Sequence, residues 1–146
     1  NRPGSKVSDY FDLKLFYPEH RVILKSSYYV REAMPGYQLH GKLGSFIKHK
    51  TDVQELDLLA GKVPGGANWG KEPENQQGLL HTEKDGSIIR EHIPSLQGDY
   101  SLYYEGIYQA LRHQAPVPVT GEEGKRVIQI IEAANKSNRE RKVIEL

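Results

Sequence analysis

Ser8-Asp9-Tyr10-Phe11-Asp12-Leu13-Lys14-Leu15-Phe16-Tyr17, the turn Pro18-Glu19-His20, and Arg21-Val22-Ile23-Leu24-Lys25-Ser26-Ser27-Tyr28-Tyr29-Val30 form the stretch that decides the fold class. In Ser8 to Tyr17, Phe11, Leu13 and Leu15 recur at every second position, with Asp12, Lys14 and Phe16 between them. That period of two is the signature of a β-strand. Arg21 to Val30, rich in Val, Ile and Tyr, reads as a returning strand. So short a connection favours an antiparallel hairpin, because a parallel pair needs a much longer crossover. The second strand carries apolar groups on both faces: Val22, Leu24, Tyr28 and Val30 on one, Ile23 and Tyr29 on the other. A strand of that kind expects cover on both sides, at least in part.

Working outward, Pro35-Gly36 breaks the run, and Tyr37 to His40 and Ser45 to Lys48 read as two short strands around Gly41-Lys42-Leu43-Gly44. Thr51 or Asp52 then offers a helix cap, with Gln54 or Glu55 three positions later. Val53, Leu56 and Ala60 share one face of that helix, and Gly61 ends it. Gly61 to Gly78 holds five glycines and two prolines around the only Trp, Trp69. Such long irregular segments are enriched in functional loops. The glycines also predict few local contacts for Trp69 if the segment closes against another domain. Leu79 to Thr82 and Ser87 to Ile93 form another hairpin across Lys84-Asp85-Gly86.

After Pro94 the period changes to that of a helix, with Leu102, Gly106 and Ala110 in one stripe and Tyr103, Ile107 and Leu111 beside it. Pro116 and Pro118 hold an extended connector. Thr120-Gly121-Glu122-Glu123 is a capping box that opens a second helix, with Val127, Ile131 and Ala134 on one face. Arg141 to Leu146 reads as a short final strand. The sum is an α+β class: an open-faced, mostly antiparallel or mixed β-sheet with helices packed on one face, in a single domain spanning residues 1–146.

Composition narrows the function. The 146 residues suffice for one ordinary domain. No stretch approaches the roughly 20 apolar residues of a membrane span, and the polar start Asn1-Arg2-Pro3-Gly4-Ser5 is no signal peptide. The first residue is not Met, which leads us to expect a start inside a longer product or after a tag. The lack of Cys removes disulfides, thiolate metal sites and cysteine nucleophiles, and fits a cytoplasmic protein. Twenty basic and nineteen acidic residues leave a formal charge of +1, so no general attraction to nucleic acid is expected.

No Gly-x-Gly-x-x-Gly follows a strand and no phosphate-binding loop is present, so a self-contained nucleotide site is not expected. Gly41-Lys42-Leu43-Gly44 looks superficially like the clamp of an RNA-binding KH domain, yet it lies between strands and reads as a plain turn. His40 and His81 sit in strands, where structural hydrogen bonding is commoner than metal ligation. His81 and Glu83 share one strand face and could pass a proton, as in a small hydrolase or isomerase, but no nucleophile is evident beside them. Tyr100, Tyr103, Tyr104 and Tyr108 crowd one helix and need burial against the sheet or another surface. Trp69, between Asn68 and Gly70, is the candidate for a substrate-side contact, since a flat ring beside polar groups suits a sugar. Its plainer role is to plug the domain's own surface.

Several segments together resemble the second domain of the Gfo/Idh/MocA oxidoreductases, the glucose–fructose oxidoreductase and inositol dehydrogenase family. They are Val22-Ile23-Leu24-Lys25-Ser26-Ser27-Tyr28, Tyr37-Gln38-Leu39-His40-Gly41, Gly44-Ser45-Phe46, Gly98-Asp99-Tyr100 with Tyr103-Tyr104, and Pro116-Val117-Pro118-Val119-Thr120 with Glu122-Glu123-Gly124. The resemblance implies an amino-terminal Rossmann domain that holds NAD or NADP, together with a Glu-Lys-Pro lysine and an Asp-x-x-x-His histidine, neither of which occurs in this sequence. It further implies a small sugar-like substrate, a homo-oligomer joined through the open sheet face, and an isolated domain with no catalytic residue, no bound cofactor and no activity. The rival expectation is a non-catalytic binding module. Ile23, Tyr29 and Phe16 supply an independent motive for self-association, since alternation cannot place both residue sets of the second strand in one core.

Overall fold

The computed structural model describes residues 4, 8–49 and 52–146. In chain order the elements are β1 (Tyr10–Phe16), β2 (Arg21–Ser27), β3 (Tyr37–His40), β4 (Gly44–Lys48), α1 (Val53–Leu59), β5 (Gly78–Lys84), β6 (Ser87–Ile93), α2 (Ser101–His113) and α3 (Gly121–Glu140). The class is α+β, and every strand pair is antiparallel. The strands divide into a two-stranded sheet, β1-β2, and a four-stranded sheet, β3-β4-β5-β6. The chain forms two compact units, Asn1–Ala33 with Val119–Leu146, and Met34–Pro118.

In the first unit the β1–β2 register opposes Leu13 to Leu24 and Leu15 to Val22. Pairing and alternation place Phe11, Leu13, Leu15, Val22 and Leu24 on one face, and Tyr10, Phe16 and Ile23 on the other. The second face is tied by an Asp12–Lys25 ion pair at 2.9 Å and by the Arg21 guanidinium 5.0 Å from the Phe16 ring centre. At the turn Tyr17 and His20 stack with centroids 4.4 Å apart.

β2 ends at Ser27, three residues before the predicted end at Val30. The Tyr28 amide still donates to the Asp9 carbonyl at 3.1 Å, and beyond it side chains take over. The Tyr29 amide donates to Ser27 Oγ (3.1 Å), and the Tyr29 hydroxyl donates to Asp9 Oδ2 (3.2 Å), whose residue is only 5% exposed. The expected strand at Arg141 to Leu146 is also absent. Arg141 adopts a left-handed conformation as the C-cap of α3, and Ser137 Oγ donates to the Lys142 carbonyl at 2.6 Å, tying the tail back to the helix. The start of α3 follows expectation: the Glu123 amide donates to Thr120 Oγ1, and Glu123 accepts from the Thr120 amide at 2.7 Å.

The second unit contains the four-stranded meander. Gly41-Lys42-Leu43-Gly44 is the β3–β4 turn, with the Gly41 amide donating to the Gly44 carbonyl at 2.8 Å. The β5–β6 turn places Asp85 at φ 52° and Gly86 at φ 74°, the left-handed pair that a two-residue hairpin needs. Phe46 lies over Gly78, where an added Cβ would fall 2.1 Å from the ring. α1 is capped by Asp52, whose carboxylate accepts from the Gln54 and Glu55 amides; Thr51, the alternative cap, lies outside the described residues. Among the described residues no apolar side chain reaches full burial.

Candidate functional site

The second unit gathers its polar groups around Gln54, which is 5% exposed. The Asp52 cap fixes the first turn of α1 and with it the direction of Gln54. Gln54 Oε1 accepts two hydrogen bonds, from Trp69 Nε1 at 3.1 Å and from the Tyr100 amide at 3.0 Å. The Tyr100 hydroxyl donates to Asp52 Oδ2, so helix start, irregular segment and α2 meet at one node. Close approach of the backbone completes it. Gly98 N donates to the Gly70 carbonyl at 3.1 Å, and a Cβ on Gly70, which sits at φ 71°, would fall 1.9 Å from the Gly98 oxygen. Only glycine satisfies both demands at position 70.

Beside this node lies a cleft of about 430 Å³ lined by Tyr37, Lys48, Asp52, Val53, Gln54, Gly70, Glu72, Ser95, Leu96 and Gly98. Lys48 and Glu72 form an ion pair in it, both side chains largely buried. Lys48 Nζ also donates to the Gln76 carbonyl at 2.8 Å, and Glu72 Oε1 accepts from the Ser95 amide at 2.6 Å. Burial pushes the Glu72 carboxyl up, but the hydrogen bonds from Lys48 and Ser95 outweigh it, and the group stays below its ordinary value. The Tyr100 phenol is pushed up to about 12, first by its hydrogen bond to Asp52, then by desolvation and the Asp52 and Glu55 charges. It therefore stays neutral and donates, and it is no general base at physiological pH.

Trp69 stands next to this cleft and is not part of its wall. Its segment is pinned: Gln97 Nε2 donates to the Trp69 carbonyl at 2.6 Å and to that of Ala67 at 3.3 Å, while Trp69 N donates to the Gly66 carbonyl. The expectation of few contacts there fails, because Gln97 and Gln54 supply partners that lie far away in sequence. No spacing in the sequence singles out Gln54; the only local sign is its place after the Asp52 cap.

His81 and Glu83 do share a face of β5, and both are exposed. The register sets Ser45 opposite both His40 and His81, with Arg90 beyond. The Ser45 hydroxyl pairs with His40 Nδ1 at 2.9 Å. β4 lies between two partner strands, so its amides serve the ladders and none is left to form an oxyanion hole. Among the described residues no group of three or more His, Cys, Asp or Glu is arranged to hold a metal ion, and no helix is long and apolar enough to cross a membrane.

A dinucleotide pyrophosphate would need open amides at a helix N-terminus. The helix starts here are already served by the chain's own carboxylates. Asp52 caps α1, Asp99 Oδ1 accepts from Ser101 N at 2.8 Å at the start of α2, and Glu123 with Thr120 closes α3. These residues do not fit a nicotinamide dinucleotide.

Comparison with known proteins places the whole chain. Residues 1–146 match the model of the oxidoreductase family's C-terminal α/β domain, Gfo/Idh/MocA type. The chain is 41% identical over 145 residues to the scyllo-inositol 2-dehydrogenase (NADP(+)) IolW of Bacillus subtilis, covering 99% of this chain and 40% of that protein. It is 35% identical to the Escherichia coli oxidoreductase YhhX, covering 90% of this chain and 38% of that one. Among solved structures, the Bacillus subtilis oxidoreductase YvaA superposes with a TM-score of 0.94 at 41% identity, over 100% of this chain and 42% of that one. A Bacteroides fragilis oxidoreductase gives 0.89 at 44% identity, over 98% and 44%. The chain thus spans about two-fifths of the length of the relatives it matches. It belongs to the Gfo/Idh/MocA oxidoreductase family, as a C-terminal α/β domain of that family.

Proposed function

We propose that this chain is the substrate and assembly domain of an NAD(P)-dependent oxidoreductase that acts on a sugar, polyol or related hydroxy compound. The observation that carries the reading is the match along 99% of the chain to a relative named as an NADP(+)-dependent inositol dehydrogenase, of which the chain spans 40%. The nicotinamide belongs to the rest of the parent protein, since the helix starts here repel phosphate. This chain holds and orients substrate and does not itself move a proton or hydride. Trp69 is substrate-adjacent, acting one residue from the cleft wall through Gln54. The apolar side chains left open favour a homo-oligomer through the open sheet face, and the lack of Cys suits the cytoplasm.

The test compares the parent with this chain. Formation of reduced nicotinamide is followed with NAD+ or NADP+ and a panel of cyclic and linear polyols. The parent is expected to turn over at least one of them and the chain alone none. Calorimetric titration of the chain with NADP+ should show no heat of binding; micromolar affinity would sink the reading.

A further inference from the structure

We propose that residues 67–72 form a strap that opens and closes over Gln54 together with the connector 95–100, and that the Lys48–Glu72 ion pair is its clasp. The inference stands on the geometry of this unit and is independent of the oxidoreductase reading.

The strap lies between α1 and β5, and the connector lies between β6 and α2. They run side by side without forming a sheet. Among the described residues one backbone hydrogen bond joins them, from Gly98 N to the Gly70 carbonyl. Side chains supply the rest: Gln97 Nε2 donates to the Ala67 and Trp69 carbonyls, and the Glu72 carboxylate accepts from the Ser95 amide. Apolar burial adds little. Between residues 62 and 76 only Trp69, Gly70 and Glu72 are not exposed, and Leu96 in the connector is 97% exposed. Segments held by a few polar atoms open at a fraction of the free energy of global unfolding.

The fastenings are unequal. Trp69 Nε1 and the Tyr100 amide share one neutral acceptor, Gln54 Oε1. Glu72 brings a charge. Its carboxylate meets Lys48 Nζ from β4 and Ser95 N from the connector, so one group ties the strap both to the sheet and to its neighbour. The two side chains of the pair are only 11% and 10% exposed, and removing either leaves a largely buried charge without its counter-ion. Release at Glu72 frees Ser95, and the same connector carries Gly98 and Tyr100, the N-cap residue of α2. The strap has room to move at one end. Gly65 and Gly66, at φ 145° and 83°, have nothing within 4 Å of an added Cβ, whereas Gly78 is locked beneath the Phe46 ring. The hinge is therefore Gly65-Gly66, and opening uncovers Gln54 while the four-stranded ladder stays paired.

Hydrogen exchange of the 146-residue chain, followed by nuclear magnetic resonance, tests this through three protons bonded to neither Lys48 nor Glu72. They are the Trp69 indole N–H and the amides of Gly98 and Tyr100. In the wild-type chain they should share one opening constant, about tenfold or more above that of the β5–β6 amides. Glu72→Gln keeps an oxygen for Ser95 but removes the charge, and Lys48→Met removes the other partner. Each should enlarge the shared constant about tenfold or more. The factor should equal the one that urea unfolding gives for the global constant, because the clasp is broken in both openings. Three protons that exchange only with the ladder, or with unrelated constants, overturn the strap from the wild-type chain alone. Variants that lower global stability yet leave the three protons unmoved overturn the clasp, as do variants that change neither.

Discussion

Gln54 is a polar residue placed where an apolar one would be expected, and its burial is acceptable only because its oxygen serves two donors at once. Replacing it with leucine keeps the volume but strands the Trp69 indole N–H and the Tyr100 amide. Each buried donor left unpaired costs about 1–3 kcal/mol, so Gln54→Leu should lower unfolding stability by about 2–4 kcal/mol. Urea unfolding followed by Trp69 emission measures it, and Gln54→Glu should lose much less. The Lys48–Glu72 pair gives a second prediction at this scale. The folded-state pKa of Glu72 lies below its ordinary value of 4.5, so ionised Glu72 stabilises the fold. That contribution is complete above pH 4.5 and is lost as the pH falls through the lower folded value. The urea midpoint should therefore drop on acidification below that point, and the drop should shrink in Glu72→Gln.

At the scale of elements, the boundaries set by backbone chemistry agree with the reading of the sequence. The capping box Thr120–Glu123 opens α3 where its motif stands, and Asp85-Gly86 turns β5 into β6. Thr120→Ala removes the acceptor for the Glu123 amide and one of the two donors to the Glu123 carboxylate, leaving the backbone amide of residue 120, and should cost about 1 kcal/mol. Thermal unfolding followed by far-ultraviolet circular dichroism tests it; an unchanged midpoint would mean that α3 is held by contacts other than its cap. Where elements departed from expectation, side-chain hydrogen bonds stand at the boundary. Ser27 Oγ competes for the Tyr29 amide just past β2, while the Tyr28 amide still pairs with the Asp9 carbonyl, and Ser137 holds the chain after α3. Alternation of Val, Ile and Tyr cannot reveal such competition, because it records side-chain polarity and not where backbone amides find partners.

At the scale of the whole molecule, the open apolar surface is the main physical fact. Ile23 is 56% exposed on the face of the β1–β2 sheet that also carries Phe16 and Tyr10. Apolar area left in water costs about 25 cal/mol per Å², and a second copy covers it with one surface used twice. The wild-type chain should therefore associate at tens of micromolar in sedimentation equilibrium, and Ile23→Asp should shift it toward monomer. The new carboxylate would stand opposite Lys14 and between Arg21 and Lys25, so the fold should tolerate it. A wild-type monomer at those concentrations, or a folded variant that associates unchanged, would remove this assembly from the proposed function.

The sequence by itself determined the class of the fold, most element boundaries and the hairpin turns. These depend on periods of two and 3.6, on caps and on left-handed turn positions, all of which act within a few residues. The likeness to an oxidoreductase domain rested instead on matching segments such as Val22 to Tyr28 and Pro116 to Thr120. The sequence also singled out Trp69, but not what Trp69 does. Only the tertiary structure joined Trp69 to Gln54 across 15 residues and Tyr100 to Gln54 across 46, divided the strands into two sheets, and set Ser45 between His40 and His81. Such pairings come from closing long loops around a few buried polar atoms, and no local preference of the chain specifies which glutamine will receive which donor.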